Sequence, residues 1–305
     1  MNTSHHLCAL CGQNPSLRHS HIIPAFVFRW TKSTSATGFL RFGENPNLRV
    51  QDGNKPKLLC GNCEGILNKL ETQFANEIFY PYVNDELSRE GVSTSTIKQF
   101  SYTDWLLRFA ISVQWRVVMT SKPFIAKLPS KQLDLLNSFS STWRDFLLGK
   151  RKDTGNCETH LIFLQNLASG EGSLPDSIND RINFYVMRCI DATITTGTRT
   201  LGVYVKFGPM CLYTSILPAK LKKLPHSKIH LKGLMLTAQT LANLGLTQFL
   251  FVDRPNEVLL RMKYSDKQKR VVHETYVNNP TRVEQSMTLR ALEGDLILKQ
   301  RKSST

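Results

Sequence analysis

The chain contains no apolar run approaching the roughly 18 residues of a membrane span. Its opening residues, Met1–Cys11, hold neither the basic nor the hydrophobic stretch of a secretory leader, so a cytoplasmic location is expected. There is no internal repeat, no Walker-type phosphate loop, no dinucleotide fingerprint and no serine-nucleophile motif. The Gly-Glu-Gly at 170–172 reads as a loop rather than a phosphate cradle, and His5 and His6 read as a polar tail. Acid is scarce: 24 Asp and Glu stand against 39 Lys and Arg, a formal charge of +15. It is scarcest between Asp191 and Asp253, where no acidic residue occurs. Residues 1–80 carry +3, residues 81–190 carry +2 and residues 191–305 carry +10, so the excess belongs to the last third. Such an excess implies a polyanionic partner, with a basic surface kept for solubility as the alternative.

Seven cysteines are present, and four are paired as Cys8-x2-Cys11 and Cys60-x2-Cys63. An odd count without a leader argues against a disulfide framework. Each C-x2-C lets two thiolates of one tight turn face a common ion, and two such knuckles complete a tetrahedral site for a structural Zn²⁺. Gly12 and Gly61 beside the pairs are expected to supply unusual backbone angles. Cys157, Cys189 and Cys211 read as small buried hydrophobes. Leu67, Leu70, Phe74 and Ile78 recur at helical spacing, predicting a helix from about Gly61 to Phe79 that Pro81 stops. Before it, Arg18–Pro24 reads as a short strand ended by proline, and residues 33–57 as a hairpin with loops.

The order C-x2-C, His-x-x-Pro, then Leu-Leu-Cys-x2-Cys running into a helix resembles the zinc-stabilised HNH endonucleases over roughly residues 8–79. The resemblance implies a treble-clef, ββα-metal core that hydrolyses phosphodiester bonds of DNA. In that family the strand histidine before Ile-x-Pro is the general base, which places the role on His21. The residue before it and the residue after the second cysteine pair hold a divalent cation, Mg²⁺ or Mn²⁺. Here these positions are Ser20, with His19 one further back, and Glu64 where the family usually has histidine. The hairpin asparagine that orients the base falls at Lys55, with Asn54 one residue away. Free-standing chains of this kind resemble nuclease effectors of bacterial defence and mobile elements, which implies a protein partner of a defence system.

The residues support the same chemistry directly. Phosphodiester hydrolysis needs a base and a cation, and an imidazole with a hard-oxygen ligand such as Glu64 supplies both. Glu64 and Glu71 fall about 20° apart around the helix, beside the apolar stripe, where a carboxylate pair is costly unless something binds it. For Glu71 the alternative is a surface position or a helix-packing salt bridge. A non-catalytic zinc finger that binds DNA or protein is the second reading of the whole.

Beyond this region, residues 102–119 predict an amphipathic helix capped by Thr103, with Arg108 and Arg116 in salt bridges or in solvent. A second helix spans about 130–148. Thr159–Leu164, Arg181–Thr195, Arg199–Phe207 and Pro209–Leu217 read as an antiparallel meander, Ile229–Leu236 as a further strand or loop, Ala238–Gly245 as weakly helical and Thr288–Lys302 as a terminal helix. The expected fold class is α+β: a zinc module at 1–82, a helical region at 83–156 and a basic β-rich domain at 157–305. Lys220, Lys222, Lys223, Lys228 and Lys232 are the candidate phosphate contacts, fitting duplex DNA read without sequence choice. Lysines blunting a sheet edge are the alternative.

Overall fold

The computed structural model describes residues 7–88, 97–170 and 175–303; His5, His6 and Gly172 lie outside them. It is a mixed α+β fold. Short strand β1 (Leu17–His19) pairs antiparallel with β4 (Lys57–Cys60), and between them lie helix α1 (Ala25–Ser33) and the hairpin of β2 (Leu40–Phe42) with β3 (Asn45–Val50). Helix α1 is absent from the sequence reading. Its Phe26, Val27, Phe28, Trp30 and Thr31 are buried while Arg29 and Ser33 are exposed, a helical period too short, at nine residues, to stand out in the sequence.

Helix α2 (Gly61–Phe74) continues through a π-turn at Ala75–Phe79 into α3 (Tyr80–Ser88), so the expected stop at Pro81 does not occur. The proline falls in the first turn after the π-turn, where its missing N–H costs little. Strand β5 (Gln99–Tyr102) follows, then α4 (Asp104–Thr120), α5 (Lys122–Ile125) and α6 (Ser130–Leu147). The structure gives Thr103 at the N-cap of α4 but no side-chain capping bond.

The main sheet has the order β6-β9-β8-β7, formed by β6 (Glu158–Phe163), β7 (Ile190–Gly197), β8 (Thr200–Phe207) and β9 (Met210–Leu217), all antiparallel. Only β7, β8 and β9 run as the expected meander; β6 crosses over to pair with β9 instead of β7. Residues 182–188, read as strand, form helix α7 (Ile182–Arg188). Tertiary contact decides this: the Asp295 carboxylate accepts from the backbone N–H of Asn183 (2.7 Å) and Phe184 (3.2 Å), satisfying the donors that a helix start leaves open. Strand β10 (Gly233–Leu236) pairs only with β5. Helices α8 (Leu244–Gln248), α9 (Arg254–Arg261), α10 (Asp266–Val277), α11 (Pro280–Glu284) and α12 (Met287–Ser303) complete the fold, so the last third is more helical than its sequence implies. Helix α8 lies later than the helical text at 238–245.

Helix α4 is the pillar of the core. Rather than one apolar stripe it buries every residue from Trp105 to Val118 except the half-buried Arg108, because the sheet lies on one side and α2 and α6 on others. Gln114 ties it to the sheet, donating to the Val203 carbonyl (3.0 Å) and accepting from the Thr214 hydroxyl (2.5 Å). Phe74 of α2 stacks on Phe109 of α4 with centroids 4.0 Å apart, and Phe207 of β8 meets Phe74 edge-on at 5.8 Å. Arg108 pairs with Asp104 at 2.8 Å, as expected of a salt-bridging residue.

Two buried titratable groups give stability opposite pH dependences. His160 on β6 is 1% exposed, its Nδ1 3.0 Å from the Ser227 hydroxyl and its Nε2 without a hydrogen bond. Burial pushes its pKa down to about 4. The folded state therefore keeps it neutral while the unfolded chain protonates near 6.5, so its contribution is complete above that pH and is lost as pH falls toward 4. Burial pushes Asp295 up to about 6 against the hydrogen bonds from Asn183 and Phe184, so its contribution runs the other way. The difference in stability between wild type and His160→Gln should shift by roughly 2–3 kcal/mol against the wild type between pH 7 and 4.5. Denaturant melts of both proteins at the two pH values measure it; an unchanged difference removes His160 as the cause.

Candidate functional site

Cys8 and Cys11 sit on a knuckle ahead of β1, Cys60 ends β4 and Cys63 lies in the first turn of α2. The β1–β4 ladder pairs Leu17 with Cys60, and Ala9 donates to the Leu58 carbonyl at 3.0 Å, which brings the knuckle against the helix start. The four sulfur atoms all lie within 4.8 Å of one another, and Cys8, Cys60 and Cys63 are buried. The Gly12 N–H bonds the Cys8 carbonyl at 2.8 Å with φ at +75°, a backbone state that suits glycine. Gly61 differs from expectation: it begins α2 in helical geometry, and a Cβ there would touch the Arg18 guanidinium.

These thiols form one group able to hold a metal ion, and an all-sulfur set of this compactness suits zinc. Backbone N–H groups of Gln13 and Asn14 pull the Cys11 pKa down to about 6, whereas burial pushes Cys63 up. Four thiolates packed this closely repel each other without a cation between them.

The positions taken from the sequence reading divide into separate contacts. His21 Nε2 lies 2.9 Å from Oδ2 of Asp52, which also receives Lys55 Nζ at 3.1 Å and, on Oδ1, the Gly53 N–H at 2.9 Å. Burial raises the Asp52 pKa, but the bonds from His21, Gly53 and Lys55 outweigh it and hold the carboxyl below its ordinary value. Ser20, fully buried, donates to Glu64 Oε2 at 2.6 Å. Glu71 stands apart from Glu64: its Oε1 is 2.7 Å from Nη2 of the buried Arg116, off the line of a directed hydrogen bond, so the contact is charge pairing. The expected carboxylate pair is thus two carboxylates with separate partners, and the salt-bridge alternative holds for Glu71. Arg116 Nη1 also donates to the His21 carbonyl at 2.6 Å. His19 is exposed, with Nδ1 2.9 Å from the Lys55 carbonyl, and Asn54 is exposed, its carbonyl accepting from the Ile22 N–H at 3.3 Å.

Asp52 escaped the sequence reading because Gln51-Asp-Gly-Asn54 has the composition of a turn, whose acids ordinarily bond their own backbone. Only the pairing of the strap at 20–22 with the loop at 54–56 sets it on His21.

The basic loop lies at the β6 edge of the main sheet, while the hairpin and the loop bearing Asp52 border its opposite edge at β7. Lys220, Lys222, Lys223 and Lys232 are exposed. Lys228 is half-buried and bound to Glu158 at 2.7 Å, with Glu158 also accepting from the Leu221 N–H at 2.9 Å. Lys206, another cation of the acid-free stretch, is fully buried and donates to the carbonyls of Val186, Cys189 and Gly208. Cys211 is buried, whereas Cys157 and Cys189 are half-buried; burial raises all three thiols, Cys189 to about 11 and Cys211 to about 12.

Replacing Cys60 by Ser should leave the protein without its bound metal and lower its melting temperature by about 5 °C or more, as loss of a folding-coupled ion requires. Elemental analysis and thermal melts check this; full metal content in the variant sinks the four-cysteine site.

Comparison with protein-family models, curated proteins and solved structures finds no match to this chain, and the case for its function rests on the geometry above.

Proposed function

We propose that the protein is a metal-dependent endonuclease of the HNH type acting on DNA, with a treble-clef core built round a structural zinc and His21 as its general base. The observation that carries this reading is the His21–Asp52 contact at 2.9 Å. A carboxylate on Nε2 fixes the tautomer that carries its proton there, leaving the Nδ1 lone pair to take a proton from water. As the imidazolium forms, Asp52 stabilises it in the same geometry. Asp52 thereby performs the orienting role that the resemblance assigns to asparagine; Asn54 contributes its backbone carbonyl, and Lys55 its carbonyl to His19 and its ammonium to Asp52.

Ser20 and Glu64 offer adjacent oxygen donors, the kind that Mg²⁺ or Mn²⁺ accepts while keeping most of its shell as water and phosphate. A cation held there would supply positive charge to the scissile phosphate and the leaving oxygen. Glu71 is outside this set, because its charge is matched by Arg116. The DNA backbone would be gripped by the exposed lysines of the 220–232 loop. Action as a defence effector with a protein partner belongs to this proposal.

A second reading, a non-catalytic zinc-stabilised module that binds DNA or protein, is favoured by the Ser20–Glu64 hydrogen bond, which commits one cation donor to the other.

Supercoiled plasmid incubated with Mg²⁺ or Mn²⁺ should be nicked by the wild type, and His21→Ala should slow this by about 100-fold or more. Glu64→Ala should raise the metal concentration required. If the wild type, folded and zinc-loaded, leaves plasmid intact with either metal, the nuclease reading fails and the binding module stands. Replacing Lys220, Lys222 and Lys223 together by Ala should weaken duplex binding and flatten its log–log salt slope by up to about 3. Binding titrations across a salt series measure this; an unchanged slope takes the loop out of the interface.

A further inference from the structure

A cavity of about 1120 Å³ opens between the β2–β3 hairpin, the β7 edge of the sheet and helices α7, α9, α10 and α12. Its size is slightly above the range of small-molecule sites, roughly 300–1,000 Å³. Most of the charge on its wall is internally matched. Asp191 holds Arg254 through contacts at 2.6 and 2.7 Å, Glu257 takes Arg254 and Arg261, and Asp52 takes Lys55 and His21. Three guanidinium groups of the lining then make no ion pair among the described residues: Arg41, Arg188 and Arg181, whose charge reaches Asp295 only at longer range. Against them stands one unpaired acid, Glu44, exposed at the hairpin turn.

The three arginines differ in a telling way. Arg188 is 5% exposed and reaches only neutral acceptors, the Thr34 hydroxyl (2.8 Å) and the Thr31 carbonyl (2.7 Å), beside the Trp30 ring. Burial lowers its pKa to about 10, so it remains a cation at neutral pH in a site without a counter-charge. A buried charge left in that state is costly. Arg181 makes no side-chain hydrogen bond or ion pair among the described residues and lies 5.0 Å from the Phe184 ring centroid. Arg41 donates to the Pro46 carbonyl at 2.8 Å and covers the Tyr264 ring at 5.5 Å. Phe184, Tyr264 and Tyr276 supply aromatic surface on the same wall, and burial keeps both phenols neutral by raising their pKa.

We propose that this cavity binds a phosphorylated small molecule bearing a planar ring, the chemistry of a nucleotide. Its phosphate lies between Arg181 and Arg41 over the field of Arg188, and its ring lies against Phe184, Tyr264 and Tyr276. Guanidinium groups are the natural phosphate receptors, and an aromatic wall receives a base by its π-face. Walls on the hairpin side, the sheet side and the helix side enclose a compact ligand rather than a passing duplex. The inference is independent of whether His21 activates water.

The test uses the full chain and a panel of ribonucleoside mono- and triphosphates, the matching nucleosides and inorganic phosphate, read by calorimetry and thermal shift. At least one nucleotide should bind with a dissociation constant below roughly 1 mM. Its nucleoside and inorganic phosphate should each bind about tenfold more weakly or less, and Arg181→Ala and Arg41→Ala should each cost about tenfold. Arg181→Lys, which retains the charge but not the fork, should recover part of that loss, while the metal content of each variant stays at the wild-type value. Absence of binding by every nucleotide overturns the proposal, as does binding indifferent to both arginine substitutions. Equal affinity for phosphate and nucleotide leaves only an anion site and overturns the ring-bearing ligand. Displacement of the nucleotide by short duplex DNA, with the same arginine dependence, makes the cavity a nucleic-acid surface and overturns it too.

Discussion

The Arg116 guanidinium, withdrawn from water on the central helix α4, faces the Glu71 carboxylate of α2 and donates to the carbonyl of His21. A buried cation is tolerated only where its partners are in place, and removal of one partner from such a pair typically costs about 3–5 kcal/mol. Three segments far apart in the chain must therefore arrive together: the strap of His21, the helix that begins at the second cysteine pair, and the pillar of the core. The position of His21 is thereby set by the core and not by the strand expected at Arg18–Pro24, since β1 ends at His19.

The same device recurs on the other face of the cysteine-bearing region. Arg188 of α7 holds the end of α1 through Thr31 and Thr34, and Arg282 of α11 donates to the carbonyls of Ser35 and Lys32. Thr288 and Met287 of α12 bond the backbone at Ala36 and Thr34. The end of α1 and the turn after it are thus held by α7 and by the C-terminal helices. Arginine suits this work because its fork serves several neutral acceptors at once while its plane rests on aromatic rings. Where the grip loosens, between the hairpin and α10, the large cavity remains.

Much of the fold was legible in local pattern. The helices at 104–120 and 130–147, the strands at 158–163, 200–207 and 210–217 and the terminal helix follow from periodicity. The misreadings have local causes. Ile182–Arg188 has the apolar text of a strand, but a carboxylate over a hundred residues away accepts from its first amides, and that partner is invisible in a window. Helix α1 has only nine residues, too few for its period to stand out. Pro81 marks a helix end in isolation, whereas a π-turn before it removes the conflict. His21 stood out in the sequence, but its contact with Asp52 did not, since an Asp-Gly turn looks the same whether or not an imidazole sits on it. The basic loop shows the converse: lysines conspicuous in sequence include one, Lys228, that is committed to Glu158, and another, Lys206 in the strand before the loop, buried on carbonyls.

By itself the sequence determined the four cysteines able to hold a metal and the net charge, because cysteine pairs at short spacing and the excess of lysine and arginine are properties of composition and of the local chain. Only the tertiary structure decided which charges are spent and which are free. Ion pairing depends on distances of a few ångströms between residues that may be separated by a hundred positions. Glu71 is matched to Arg116, Glu64 to Ser20 and Asp52 to His21, while Arg181 and Arg188 make no ion pair among the described residues at the wall of the cavity.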